Sequence, residues 1–128
     1  MMQQPQIQLE YFVLRYVPNV VCENCINIGV VMVALGGADF GQVRFLGNWT
    51  HVLRLDPNAD VDLLKALATN IREQIGNREK REQMLQNMKE SFSNSIQLSE
   101  PQICVSDDPS SELEKLSSQY LPTEVYSA

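Results

Sequence analysis

The sequence predicts an α+β fold, an antiparallel sheet of three to five strands covered by two or three helices in two layers. Two apolar runs rich in valine, isoleucine and aromatic residues, 11–17 and 26–35, favour buried neighbouring strands. Each run is shorter than the roughly 20 apolar residues of a membrane-spanning helix. A periodic apolar stripe over residues 61–75 indicates an amphipathic helix that covers the strands.

Length and charge restrict the class of protein. We expect one domain over residues 1–128, with frayed ends at 1–6 and 122–128. Its 44% hydrophobic and 20% charged residues are typical of a globular protein, and a net charge of −6 disfavours nucleic acid. Residues 1–10 lack the basic and apolar regions of a signal peptide, which predicts a cytoplasmic protein with reduced cysteines and no membrane contact.

The first half of the chain reads as three strands. Strand one covers about residues 7–17 and places alternate side chains on two faces. Strand two covers 26–35, where Gly29 predicts a bulge or the close approach of another chain segment. A glycine-rich turn leads to strand three, about 41–46, as its hairpin partner. Segment 47–55 fits either a short helix or an irregular crossing. One face of strand one carries Leu9, Tyr11, Val13 and Arg15, and the other carries Glu10, Phe12, Leu14 and Tyr16.

The second half of the chain is mainly helical. Asn58 or Asp60 is the predicted cap of the main helix, which ends at Gly76 and Asn77. A second helix covers 78–92, and short strands follow around 96–98 and 103–105. Ser111 and Glu114 form a capping-box pattern for a last helix that ends at Pro122. The main helix carries the stripe Val61, Leu64, Leu67, Ala68, Ile71 and Ile75, widened by Leu63.

Three cysteines and one histidine raise the question of a metal site. Cys22 and Cys25 form a CxxC pair, but they precede a β-branched strand and not the helix that a redox pair requires. With His51 and Cys104 they would complete the ligand set of a zinc site. Reduced, partly buried thiols and no cofactor are the favoured interpretation.

Polar residues gather where the first two strands meet. We expect Arg15 to pair with Glu23, because an unpaired buried charge is costly, and Asn27 to bond the turn backbone. Two interpretations stay open, a salt-bridged loop anchor and a pocket in which Arg15 and Tyr16 bind a ligand carboxylate or phosphate. His51 is the sole histidine, so any Ser-His-Asp or Cys-His mechanism requires it. No residue is predicted to be catalytic.

The same stretch resembles a known family. Leu14-Arg15-Tyr16-Val17-Pro18, followed by Asn-Ile-Gly-Val-Val at 27–31, is similar to the signature of the bacterial domains of unknown function numbered three thousand and thirty-seven. The likeness extends through 43–45, 55–57 and 92–101. The resemblance implies a small cytoplasmic bacterial protein without an established activity. Some members are encoded beside HipA-like kinases, which favours a protein partner. The family often has glutamate where this chain has Asn24, so no role is assigned to a carboxylate there.

The leading functional hypothesis is a non-catalytic protein-interaction module, with a HipA-like kinase as one possible partner. The alternative is an enzyme or small-ligand-binding domain whose cleft is formed by Arg15, Glu23, Asn27 and His51. A zinc-stabilised module is the third hypothesis. Formation of a homo-oligomer is left open.

Overall fold

A computed structural model describes residues 6–18, 25–91 and 96–122. Within these ranges the chain forms a five-stranded antiparallel sheet and four helices, which confirms the predicted α+β class. The elements in chain order are β1 (Ile7–Tyr16), β2 (Ile26–Ala34), β3 (Gly41–Phe45), α1 (Thr50–Leu55), α2 (Val61–Gly76), α3 (Arg78–Ser91), β4 (Ile96–Leu98), β5 (Gln102–Ser106) and α4 (Pro109–Tyr120).

Strand β1 is the centre of the sheet. It pairs with β2 along one edge, and β2 pairs in turn with β3. Its other edge is shared by two short strands, β4 opposite residues 14–16 and β5 opposite residues 7–11. The two Val/Ile-rich runs are therefore hydrogen-bonded neighbours, as predicted.

A bulge in β2 sets the polar end of the sheet. Gly29 lies opposite Leu14 and Asn27 lies opposite Arg15, so Ile28 is the extra residue. Gly29 has a packing reason as well, because a Cβ there would lie 2.9 Å from the ring of Phe45. Both alternatives predicted for Gly29 are present: Phe45 approaches the glycine closely, and a bulge lies one residue before it, at Ile28. The bulge places Arg15 and Asn27 side by side on one face.

Helices cover both faces of the sheet, so the fold has three layers and not the two that were predicted. Helices α1, α2 and α3 pack on the face that carries Phe12 and Leu14. Helix α4 packs on the other face, which carries Val30 and Met32. The physical reason is that the middle of β1 and β2 is apolar on both sides and needs cover on both.

The structure corrects two local predictions. Leu63 does not widen the buried face of α2, because its side chain is 64% exposed. Helix α4 begins at Pro109 and is capped by Asp108, which accepts a hydrogen bond from Ser111 N, so Ser111 is inside the helix. Of the two predicted caps of α2, Asn58 and Asp60, the structure has Asp60. The buried residues of α2 are Leu64, Ala68, Ile71 and Ile75.

In the part of the chain that the structure describes, the helices are too short or too polar to cross a bilayer.

Candidate functional site

Arg15 and Asn27 lie together as predicted, but Asn27 bonds the end of a helix. Arg15 Nε donates to Asn27 Oδ1 at 3.3 Å. Asn27 Nδ2 donates to the carbonyl oxygen of Tyr120 at 2.9 Å, and not to the turn that was expected. Asn27 therefore connects β2 to the end of α4. The predicted ion pair of Arg15 with Glu23 lies outside the described residues.

Tyr16 and His51 are not part of that junction. The side chain of Tyr16 lies on the opposite face of β1, where its hydroxyl donates to Asp56 Oδ2 at 2.7 Å. Burial, and then this hydrogen bond, raise the pKa of Tyr16 to about 12. His51 belongs to α1, which packs on the same face as Tyr16 through the buried side chain of Val52. Of the predicted cleft residues, the structure brings Arg15 and Asn27 together.

The cysteines are spread along the sheet. Cys25 is exposed beside the first residue of β2, which pairs with Tyr16, whereas Cys104 in β5 pairs with Leu9. Seven positions along β1 separate those pairs, about 23 Å at the usual rise of a strand. Since zinc–sulfur bonds are about 2.3 Å long, these two thiols cannot bind one ion. The described residues contain no group of three His, Cys, Asp or Glu that fits a metal, and Cys22 lies outside them.

A cavity of about 310 Å³, here called the Arg15 cavity, opens between β4 and β5. Ser99 Oγ accepts a hydrogen bond from Val13 N at its floor, 2.8 Å away. A hydrogen bond to Tyr120, and then burial, raise the pKa of Tyr11 to about 12. The lining residues are Tyr11, Val13, Arg15, Ser99, Glu100, Gln102 and Tyr120.

The outer edge of β3 is a second candidate site, and sequence reasoning missed it. β3 is the terminal strand of the sheet. Leu46 N donates to Ile28 O, and Ala34 N donates to Phe40 O, so the even-numbered residues of β3 bond β2. By the alternation of an antiparallel ladder, the N–H and C=O groups of Gly41, Val43 and Phe45 point outward.

Two clefts flank this edge, one on each face of the sheet. The α2-side cleft, about 560 Å³, lies between β3 and α2. The α4-side cleft, about 370 Å³, lies between the end of β3 and α4. Residues 44–47 line both. The α2-side cleft is lined by Gly41, Gln42, Val43, Arg44, Phe45, Leu46, Gly47, Arg72 and Gly76; the α4-side cleft adds Glu114, Ser117, Ser118, Leu121 and Pro122.

Stacked planar groups form one wall of the α2-side cleft. The ring of Phe45 stacks on that of Trp49 with centroids 6.3 Å apart. The guanidinium carbon of Arg72 lies 5.6 Å from the Phe45 centroid, within the range of a cation–π contact. The described lining residues of both clefts include no histidine or cysteine. This arrangement suits binding of a chain segment.

Comparison with protein-family models matches residues 11–121 to the family described as "Protein of unknown function (DUF3037)". The match covers both the Arg15–Asn27 junction and the β3 edge. No curated protein matches the chain significantly, and no solved structure does.

Proposed function

Because the chain belongs to the DUF3037 family, whose function is unknown, we propose from its geometry that it is a non-catalytic protein-interaction module. It binds an extended segment of a protein partner, which adds to the sheet as a strand beside β3. One observation carries this proposal: the outer edge of β3, which no strand within residues 6–18, 25–91 and 96–122 pairs with, lies between two clefts on opposite faces of the sheet. Strand addition to an open sheet edge is a recurrent mode of peptide recognition.

The two clefts match the side chains of an added strand. Successive side chains of a strand point to opposite faces, so alternate residues of the bound segment enter the α2-side and α4-side clefts. Gly41, Val43 and Phe45 offer one donor and one acceptor each to its backbone. Each such hydrogen bond contributes about 0.5–1.5 kcal/mol net. Backbone bonds therefore supply affinity, and the clefts supply selectivity.

The opposite edge of the sheet is less suited to a partner strand. It consists of two short strands, β4 and β5, separated by Pro101, and acidic residues lie at both ends of β5. Proline and charge at a sheet edge prevent pairing, whereas length does not distinguish the edges, since β3 and β5 have five residues each. Ile103 and Val105 are nevertheless 58% and 50% exposed. β5 is therefore the alternative edge that an experiment has to distinguish.

Hydrogen exchange distinguishes the two edges. Linear peptides selected on the protein from a phage-displayed library serve as the probe, and amide exchange is followed by NMR. We expect a bound peptide to slow exchange at Gly41, Val43 and Phe45, the outward-facing amides. Exchange at Gln42 and Arg44 is already slow in the free protein, since these amides bond β2. This alternation is specific to strand addition.

Two results would contradict the proposal. If the peptides slow exchange only at Ile103 and Val105, the binding edge is β5. If no selected peptide slows exchange at either edge, the protein does not bind by strand addition.

The partner and its setting are part of the same proposal. A HipA-like kinase is the natural protein to test first, since the sequence resembles proteins encoded beside such kinases. A bacterial cytoplasm suits the free thiols of Cys25 and Cys104. The proposed activity involves no cofactor.

A second candidate function is the binding of a small carboxylate or phosphate in the Arg15 cavity. The observation that favours it is an arginine held by Asn27 beside a cavity that also contains two tyrosines. With inorganic phosphate as the probe, followed by NMR titration, we expect Arg15→Ala to weaken binding about tenfold. Arg78→Ala, an exposed arginine of α3 outside the cavities, is the matched control. Equal phosphate affinity in the two variants would exclude this function.

A further inference from the structure

The charges at the β3 edge are opposite in sign to the charge of the whole chain. The net charge is −6, yet the α2-side cleft contains Arg72 and no carboxylate among its lining residues. Arg44 also lines this cleft, but Val43 and Phe45 face α2, so by strand alternation the side chain of Arg44 points to the α4 side. Building on the strand addition proposed above, we propose that the bound segment is acidic. A carboxylate side chain of the extended peptide binds the guanidinium of Arg72.

Arg72 is oriented for this contact. Its guanidinium lies over the ring of Phe45, which is itself supported by Trp49. Arg72 is exposed, and it forms no ion pair with a residue of the described ranges. A guanidinium in a cation–π contact without an ion-pair partner can still donate two parallel hydrogen bonds to one carboxylate.

The geometry of pairing specifies which peptide residue carries the carboxylate. Phe45 directs its N–H and C=O outward, so the peptide residue opposite it forms a hydrogen-bonded pair, with Cα atoms about 5.5 Å apart. The side chain of that residue lies on the same face as the ring of Phe45. A glutamate or aspartate at this position reaches the guanidinium that lies over the ring.

The other face of the edge has a different charge pattern. The α4-side cleft contains Glu114 together with Arg44, and its remaining lining side chains are uncharged. An acidic side chain of the bound peptide in this cleft would be attracted by the guanidinium of Arg44 and repelled by the carboxylate of Glu114. One acidic residue of the partner is therefore expected on the α2 side, opposite Phe45, with a neutral residue on each side of it.

Reversing the charge of Arg72 and of the peptide residue that binds it tests the proposed contact. Linear peptides are selected from a phage-displayed library on the wild-type protein and on Arg72→Glu. We expect Asp or Glu to be enriched at one peptide position in the first set, and Lys or Arg at that position in the second. Changing the acidic residue of a wild-type-selected peptide to lysine should weaken its binding to the wild-type protein about tenfold or more. The same change should improve binding to Arg72→Glu.

Two further variants serve as controls. Lys80→Glu makes the same charge change at an exposed site of α3 outside the clefts, and it should bind the original peptide as the wild type does. Arg72→Lys keeps the charge but not the planar fork, and an intermediate loss of affinity is expected. Circular dichroism verifies that each variant is folded.

The outcomes separate the two proposals. If the wild-type peptides slow exchange at Gly41, Val43 and Phe45 but show no acidic enrichment, strand addition stands and the acidic partner is wrong. Equal peptide affinities for Arg72→Glu and Lys80→Glu would likewise overturn the role of Arg72. If no peptide protects those three amides, strand addition itself fails.

Discussion

Replacing Gly41 with alanine is expected to lower the free energy of unfolding by about 2–4 kcal/mol. An added Cβ would overlap the guanidinium of Arg81 and lie 2.5 Å from the carbonyl oxygen of Ile75. Arg81 uses this space to donate from Nε to that oxygen at 2.7 Å, and its Nη1 lies 3.1 Å from Asp39 Oδ1. The alanine methyl would therefore displace a half-buried charged network that joins β3, α2 and α3. Urea denaturation of both proteins measures the difference.

Gly76→Ala is the matched control, since it adds the same methyl group elsewhere. A Cβ at Gly76 has no atom within 4 Å, and Gly76 is the last residue of α2. Alanine is the better helix former, so we expect a gain of about 0.5–1 kcal/mol. Equal effects at Gly41 and Gly76 would mean that the space beside Gly41 is not occupied by Arg81.

Phe12→Ala is expected to cost about 3–5 kcal/mol, the largest loss from a single side chain that we predict. Phe12 is fully buried in the middle of β1, opposite Val31, and packs under the helices. The ammonium group of Lys89 lies 5.3 Å from its ring centroid, an additional cation–π contact. Because a domain of this size is stable by about 5–15 kcal/mol, the variant should unfold at much lower urea concentration.

Leu63→Ala tests whether an exposed apolar side chain contributes little to stability. Leu63 has an apolar side chain on α2, but it is 64% exposed. Truncation of such a residue is expected to change stability by no more than about 0.5 kcal/mol. A loss comparable with that of Phe12→Ala would show that Leu63 belongs to the core, as its sequence position had suggested.

Local patterns were sufficient for most of the architecture. The composition of β1 and β2 and the periodicity of α2 depend on near neighbours in the chain, and these elements were predicted correctly. Leu63 was misplaced because periodicity alone does not define how wide a buried helix face is. Ser111 was misplaced because two residues near the start of α4 can act as caps, and Pro109 favours the earlier one.

The candidate sites show what local sequence patterns do not predict. Arg15 and Asn27 were predicted to be neighbours because adjacent strands align residues at their shared end. The bond from Asn27 to Tyr120 joins residues 93 positions apart, and no local pattern indicates it. The β3 edge was missed for a similar reason, since a strand has a free edge only when no later segment pairs with it.

The sequence by itself determined which segments are strands and helices and which of their faces are apolar, because those properties follow from side-chain spacing of two or 3.6 residues. Only the tertiary structure decided that α4 covers the second face, that β3 ends the sheet of the described residues, and that the guanidinium of Arg72 lies over Phe45 beside that edge. These features depend on contacts between distant segments, and they arise when the whole chain packs.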